Sequence, residues 1–196
     1  MLTLCFGGTF NPIHHGHLIC ARAVAERHGF GKVLLIPSAI PPLRAAEQDM
    51  ALAVDRLRMC QIAVDGDYLF DVSGIELERK SPSYTLDTVR ALKAEGHHHI
   101  AWLVGGDTLP NLHRWHEAGQ LVREARMIVM ARPGWDYPWE SLQPEFRDLK
   151  QNVTAAPLVE ISASDIRQRV RAGLSIDYLT PPGVAQYIRH RRLYEV

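Results

Sequence analysis

A glycine-rich corner near the N-terminus constrains the fold of this chain more than any other feature. The apolar run Leu2 to Phe6 is typical of a buried strand and leads into GGTFNPIHHGHL, residues 7–18. An alanine-rich run from about Leu18 to His28 then predicts a helix. Glycine lets the backbone approach an anion without a Cβ clash, and a helix N-terminus offers unpaired N–H groups. This strand, turn and helix start therefore predict a phosphate site.

Two histidines stand three residues apart at the start of that helix. The spacing puts His14 and His17 on one face, aimed at whatever anion the helix end holds. His15 lies between them and is predicted to be structural or solvent-facing. Two cap histidines at the surface are the simpler alternative, but the Gly-Gly-Thr turn before them favours a functional pair. The corner matches neither the dinucleotide-binding fingerprint nor the P-loop.

The pattern G-G-T-F-x-P-x-H-x-G-H-L resembles the opening signature of the bacterial nicotinate-nucleotide adenylyltransferases. These belong to the H-x-G-H nucleotidylyltransferase superfamily, with phosphopantetheine adenylyltransferase and the cytidylyltransferases. In that family the two histidines contact the ATP phosphates and stabilise charge in the transition state. The resemblance implies these roles for His14 and His17, although the first motif alone does not separate the branches.

A second motif lies near the C-terminus, in ISASDIR at residues 161–167. Ser162 is predicted to cap a helix that runs through Ala172, with Asp165 at the third position after the cap. Two hydroxyls and Arg167 one turn inside make a second anion cradle. The motif resembles the family's I-S-[SA]-[ST]-x-I-R, which holds the β and γ phosphates. Two separated phosphate cradles suit a triphosphate.

Three further matches favour the nicotinate branch. Gly105-Gly106-Asp107 follows an apolar run, and in the family this G-x-D lies near the adenosine, where a carboxylate suits ribose hydroxyls. The P-S-Y-T element of the family lies near the acceptor nucleotide. The resemblance thus implies an acceptor role for Thr85. Two further acceptor candidates follow from side-chain chemistry: Trp115 can stack on a ring, and Arg132, in R-P-G, can pair with a phosphate or carboxylate. A core Trp and a solvated Arg remain the simpler alternatives.

One loop departs from the family pattern. The family has P-x-x-x-P-P-H-[KR] after the second strand, whereas this chain has Leu43 in place of the histidine and keeps a basic residue, Arg44. Ala39 replaces an asparagine that some relatives carry near the nicotinate.

Catalytic roles are predicted for His14, His17 and Arg167. The predicted ATP-binding residues are Gly7, Gly8, Thr9, Phe10, His14, His17, Arg44, Gly105, Asp107, Ile161, Ser162, Ser164 and Arg167.

Alternating strand and helix patterns predict an α/β fold: a Rossmann-like open, mostly parallel sheet with helices on both faces, in one domain over residues 1–196. Ligands of such sheets bind beyond the carboxyl ends of the strands, where the glycine corners fall. The predicted strands are 2–6, 32–37, 69–72, 75–77, 100–104 and 127–131, with 153–161 extended. The predicted helices are 18–28, 48–64, 84–95, 162–172 and 184–192, with a short helix in the loop 135–151.

Composition excludes several classes of protein. Lys+Arg and Asp+Glu are balanced at 22 each, so there is no global basic field for nucleic acid. The sequence shows neither a signal peptide nor an apolar run long enough for a membrane span. Three cysteines without C-x-x-C spacing argue against a disulfide framework or a zinc site. We therefore expect a cytoplasmic protein, and the sequence leaves open a homo-oligomer.

The resemblance implies adenylyl transfer from ATP to nicotinate mononucleotide, which gives deamido-NAD and pyrophosphate. Mg²⁺ is expected to bind mainly through the ATP phosphates, so no carboxylate cluster is required. Three alternatives stay open: a different phosphorylated acceptor (nicotinamide mononucleotide or phosphopantetheine), a nucleotide-binding module without catalysis, and a disfavoured RNA-binding role.

Overall fold

The computed structural model describes residues 2–42, 49–131, 134 and 136–195. Its centre is a six-stranded sheet with the order β3-β2-β1-β4-β5-β6, in which every neighbouring pair is parallel. The chain crosses from one half of the sheet to the other between β3 and β4, so the order reverses beside β1. A crevice at the carboxyl ends of β1 and β4 is where this topology places ligands. The strands are β1 (Thr3–Gly8), β2 (Lys32–Pro37), β3 (Phe70–Val72), β4 (Ile100–Gly105), β5 (Arg126–Ala131) and β6 (Val153–Ala155).

Helices cover the sheet on both faces. Strand β1 shows this directly, because Leu4 and Phe6 join one apolar cluster while Cys5 joins the other. Alternate side chains of a strand point to opposite faces, so burial of both sets is expected for a covered parallel sheet. The α-helices are α1 (His15–His28), α2 (Ala53–Ala63), α3 (Thr85–Ala94), α4 (Ala118–Glu124), α5 (Pro144–Arg147), α6 (Ala163–Arg171) and α7 (Pro182–His190). The described chain also contains 3₁₀ helices at Gly106–Arg114, Trp139–Ser141 and Asp148–Asn152.

Local sequence signals explain several helix ends. Helix α1 stops at Gly29, which takes the left-handed conformation with φ +68° that favours glycine. At α6 the Ser162 hydroxyl accepts a hydrogen bond from the Asp165 backbone N–H at 3.0 Å, as the capping pattern predicts. Helix α7 has Pro182 at its first position and begins two residues before the predicted start.

The α/β prediction is confirmed, and two element predictions, a strand and a helix start, are corrected. Residues 75–77 form a turn rather than a strand, because the Leu77 N–H bonds the Gly74 carbonyl at 2.8 Å. The predicted helix 48–64 starts only at Ala53, and the extended segment 153–161 pairs with the sheet only through Ala155. The 3₁₀ segment Gly106–Arg114 and helix α4 were not predicted. Within the described chain, no helix is long and apolar enough to cross a membrane.

Candidate active site

The C-terminal part of the chain holds the glycine corner in place. The buried Thr180 hydroxyl donates to the Ile13 carbonyl at 2.8 Å, and the His15 N–H donates to the Leu179 carbonyl at 3.0 Å. A third tie joins the Tyr194 hydroxyl to the Asn11 side-chain oxygen at 2.9 Å. Residues more than 160 positions apart in the sequence therefore fix where α1 begins, which is the helix end that the sequence predicts to bind an anion.

The two histidines at this helix end stack on each other. Their ring centroids lie 3.7 Å apart with an interplanar angle of 26°. The His14 backbone N–H donates to Nδ1 of His17 at 3.3 Å. A neutral imidazole whose Nδ1 accepts a hydrogen bond carries its proton on Nε2. The edge of the buried Phe10 ring packs against His17 at 5.1 Å between centroids, which fixes that orientation.

Burial makes both imidazoles weak bases. It lowers the pKa of His14 from 6.5 to about 4, with a smaller contribution from His15. It also lowers the pKa of His17 well below its usual value, and the adjacent His14 adds to this shift. The pair is therefore neutral near pH 7 in the absence of an anion. Nδ1 of His14 is buried and has no hydrogen-bond partner among the described residues.

A cleft of about 410 Å³, the histidine cleft, opens beside this pair. His14 and His17 form one side, Gly105, Gly106 and Asp107 another, and Ile161 a third. The histidine motif follows the carboxyl end of β1, and Gly105-Gly106-Asp107 lies at the carboxyl end of β4. These two strands are neighbours in the sheet, so the strand order brings the two motifs together.

Among the described residues, the C-terminal motif reaches this cleft only through Ile161, while Ser162, Ser164 and Arg167 lie outside its lining. A Cβ added at Gly16 would lie 3.6 Å from the Ile161 carbonyl oxygen, so α1 and the start of α6 approach closely. Ser162 and Ser164 are exposed at the start of α6. The Arg167 side chain of the same helix is buried, and its Nη1 donates to the Asn11 carbonyl of the glycine corner at 2.9 Å.

A second cavity of about 210 Å³, the tryptophan cavity, lies on the other side of the glycine corner. Trp102 and Trp115 provide aromatic surface, and Thr85 lies at its wall at the start of α3. Gly7, Gly8 and Thr9 line this cavity rather than the histidine cleft. The glycine corner thus contributes Gly7 to Thr9 to one cavity and His14, Gly16 and His17 to the other.

Comparison with known proteins identifies the family of this chain. A family model described as cytidylyltransferase-like matches residues 5–169. A protein of Pectobacterium atrosepticum, named "probable nicotinate-nucleotide adenylyltransferase", is 40% identical and covers 99% of both chains. A protein of Herpetosiphon aurantiacus with the same name is 40% identical over 96% of both chains. The chain belongs to the nicotinate-nucleotide adenylyltransferase family. This family membership confirms the resemblance drawn from the sequence motifs.

Solved structures share the fold. Plasmodium falciparum nicotinic acid mononucleotide adenylyltransferase complexed with NaAD has a TM-score of 0.73 and 18% identity, and covers 99% of this chain and 98% of its own. The same enzyme complexed with APC has a TM-score of 0.72 and 17% identity, with the same coverage. At this level of identity the likeness concerns the architecture alone.

The structure brings most of the predicted adenylyltransferase residues to the two cavities. Phe10 is a buried ring that supports His17, and its side chain therefore belongs to the interior. Asp107 is exposed, and a Cβ at Gly105 would lie 2.3 Å from its Oδ1, so the carboxylate folds back over the end of β4. Arg44 and Arg132 lie outside the described residues, as does Leu43.

Sequence reasoning missed several residues that line the tryptophan cavity or support the loops around the two cavities. Arg56 is 1% exposed, and its guanidinium donates to the Thr9 carbonyl at 2.7 Å and the Ala39 carbonyl at 3.2 Å. Arg56 thereby connects the loop after β1 to the loop after β2. In the sequence it is one arginine in an ordinary helical pattern, and nothing marks it for this role. Asp49 pairs with Arg167 at 2.8 Å. Glu76, Arg114 and His116 line the tryptophan cavity without belonging to a motif that marked them.

Proposed function

We propose that this chain transfers the adenylyl group of ATP to nicotinate mononucleotide. A phosphate oxygen of the acceptor forms a bond to the α-phosphorus, the bond from that phosphorus to the bridging oxygen breaks, and pyrophosphate leaves. The observation that carries this proposal is the pair of cavities that meet at the glycine corner. The histidine cleft would hold the triphosphate nucleotide, and the tryptophan cavity would hold the acceptor.

No enzyme nucleophile takes part in this displacement, so positioning and charge stabilisation account for the rate. His17 is oriented for that role, since its Nε2 carries the proton and Nδ1 is bound to the backbone. It would donate a hydrogen bond to a phosphate oxygen. As charge develops on the triphosphate, a nearby imidazole gains a proton more readily, because an adjacent anion raises its pKa. His14 and the N-terminus of α1 would act on the same oxygens.

The acceptor side is supported by the composition of the tryptophan cavity. The indole of Trp115 is half-buried and offers a surface for stacking a pyridine ring. Thr85 offers a hydroxyl group at the start of α3, whose backbone N–H groups add a partial positive charge. Arg114 lies at the same cavity and is exposed, which suits the attraction of an anionic acceptor.

Mg²⁺ is part of this proposal as a companion of ATP. Among the described residues, no cluster of three or more His, Cys, Asp or Glu side chains could enclose a metal ion. The histidine cleft does contain one exposed carboxylate, Asp107. This donor set fits a cation that keeps phosphate oxygens and water as most of its ligands. When bound, Mg²⁺ would neutralise charge on the triphosphate.

Pyrophosphate release tests the proposal. Purified protein with ATP is given nicotinate mononucleotide, nicotinamide mononucleotide or phosphopantetheine in parallel, and we expect the nicotinate nucleotide to give the highest kcat/KM. Higher kcat/KM with phosphopantetheine would overturn the choice of acceptor. ATP binding by calorimetry without pyrophosphate from any acceptor would instead indicate a nucleotide-binding module without catalysis.

We also infer that the reaction takes place in the cytoplasm and needs no nucleic-acid partner. Balanced charge supports the second point, and RNA retention that falls with salt would contradict it. Light scattering coupled to size exclusion would test whether the chain forms a homo-oligomer.

A further inference from the structure

A buried carboxyl group lies in the wall of the tryptophan cavity. Glu76 is 3% exposed, and its Oε1 accepts a hydrogen bond from the Thr88 hydroxyl at 2.6 Å. Its Oε2 is buried and has no hydrogen-bond partner of normal geometry among the described residues. A buried carboxylate is usually paired on both oxygens, because desolvation of an unpaired charge is costly. The Ser83 hydroxyl is close enough to favour the ionised carboxyl but makes no bond of normal geometry to Oε2, so Glu76 is incompletely compensated.

The charges around Glu76 do not cancel this burial. Nη2 of Arg79 lies 3.9 Å from Oε1, and Arg56 is also close enough to favour the ionised carboxyl. Burial outweighs these arginines and the hydroxyls of Thr88 and Ser83, and it raises the pKa of Glu76 above its usual value. The side chain therefore ionises at a higher pH than a solvated glutamate does. Three other ionisable groups, Tyr84, Arg114 and His116, line the same cavity.

The acid and amide forms of the proposed acceptor differ by one charge. Nicotinate mononucleotide carries a carboxylate on its pyridine ring, whereas nicotinamide mononucleotide carries a neutral amide at the same position. An ionised Glu76 would repel the first and leave the second unaffected. A protonated Glu76 would repel neither.

We propose that Glu76 determines the selectivity of this cavity between acid and amide acceptors through its charge. The inference rests on the proposed function, because it takes the tryptophan cavity as the acceptor site. It assigns to Glu76 a through-space effect on the pyridine substituent, and no direct contact is required. A carboxylate a few ångströms from another charge, in surroundings of intermediate dielectric, changes an affinity ratio by about tenfold or more.

Calorimetry measures the dissociation constants of both nucleotides from about pH 5 to about pH 8. In the native protein, we expect the ratio of the acid Kd to the amide Kd to rise about tenfold as Glu76 ionises. The phosphate of each nucleotide titrates equally in both, so the ratio cancels that contribution. Glu76→Gln keeps an oxygen that can accept from Thr88 and removes the charge. Its ratio should stay flat with pH and equal the low-pH ratio of the native protein.

Two further variants separate charge from structure. Thr88→Val removes the hydrogen bond but keeps the carboxyl, so its ratio should still depend on pH. His116→Gln removes the imidazole of the cavity, and a pH dependence that disappears in this variant would overturn the inference. A flat ratio in the native protein that equals the ratio of Glu76→Gln would overturn it as well.

The proposed function is tested separately, by pyrophosphate release in the same samples. Pyrophosphate release with a flat ratio removes the role of Glu76 and leaves the adenylyltransferase in place. Binding with the expected pH dependence but without pyrophosphate supports Glu76 and contradicts catalysis. If neither nucleotide binds, both proposals are wrong.

Discussion

The rings of His14 and His17 lie 3.7 Å apart in a nearly parallel stack. Two protonated imidazoles would repel each other at this distance, so the stack is stable only while at most one of them is charged. Burial already disfavours the first proton. The pair can therefore offer neutral hydrogen-bond donors to an incoming triphosphate and then stabilise one added proton as negative charge develops.

Replacing His17 should affect turnover more than binding. In His17→Ala, we expect kcat to fall about 10²- to 10³-fold with little change in the KM for ATP, because the lost donor acts mainly in the transition state. Steady-state kinetics of pyrophosphate release measures both constants. His15→Ala is a matched control on the same helix turn, and it should keep native turnover. Unchanged turnover in His17→Ala would remove His17 from the mechanism.

The low pKa of His14 makes the folded state sensitive to acid. The folded protein binds this proton only near pH 4, whereas the unfolded chain binds it near 6.5. Acidification below about 6.5 therefore favours the unfolded state, and stability is lost progressively down to the folded pKa. The full effect for a group this buried is about 3 kcal/mol, at about 1.4 kcal/mol for each unit of pKa.

His14→Gln should remove that part of the acid sensitivity. Urea unfolding at about pH 7 and about pH 5 gives the difference in the free energy of unfolding for each protein. We expect a smaller loss on acidification in the variant than in the native chain. An equal loss would mean that folding does not lower the pKa of His14.

Gly7 is required by its neighbour in the sheet as well as by any ligand. A Cβ at this position would lie 2.5 Å from Cζ2 of Trp102 on β4, closer than nonbonded atoms approach. Gly7→Ala should therefore cost about 1–3 kcal/mol of stability through overpacking. Trp102→Phe removes the atom that clashes, so the double variant should recover part of the loss when thermal unfolding is compared. Additive losses would locate the cost elsewhere.

Local sequence was sufficient for the parts of the site that rest on one segment. The apolar runs around β1, β2 and β4 each end in glycine or proline. These residues mark where each strand stops, so the sequence predicts the strands and the carboxyl ends at which ligands are expected. Ser162 and Asp165 likewise specify the start of α6 by themselves. The family resemblance added Thr85 and side-chain chemistry suggested Trp115, and the structure places both at one cavity.

Contacts between distant segments could not be predicted. Arg56 reaches the loops after two strands only because α2 packs beside them, and nothing in its own helix marks it. The turn at residues 75–77 has the apolar residues of a strand, but the Leu77 N–H bonds within the turn instead of to a neighbouring strand. In both cases the outcome depends on tertiary partners, which override local propensity.

Arg167 shows the same limitation within the proposed site. The sequence assigns it to phosphate, whereas the structure places its Nε 2.8 Å from the Asp49 carboxylate and its Nη1 on the Asn11 carbonyl. Arg171 pairs with the same carboxylate. These two arginines hold the pKa of Asp49 below its usual value. A triphosphate that reaches Arg167 would add a second anion beside a guanidinium that already has one.

Asp49→Asn tests that arrangement. Arg167 is nearly buried, so removing the partner's charge should destabilise the ligand-free protein by about 1–3 kcal/mol, less than for a fully buried pair because Asp49 is partly exposed. A bound triphosphate would restore negative charge near the guanidinium. We therefore expect ATP to raise the unfolding temperature more in Asp49→Asn than in the native protein, with Arg90→Gln as a surface control. Equal shifts in all three proteins would mean that the triphosphate does not reach Arg167.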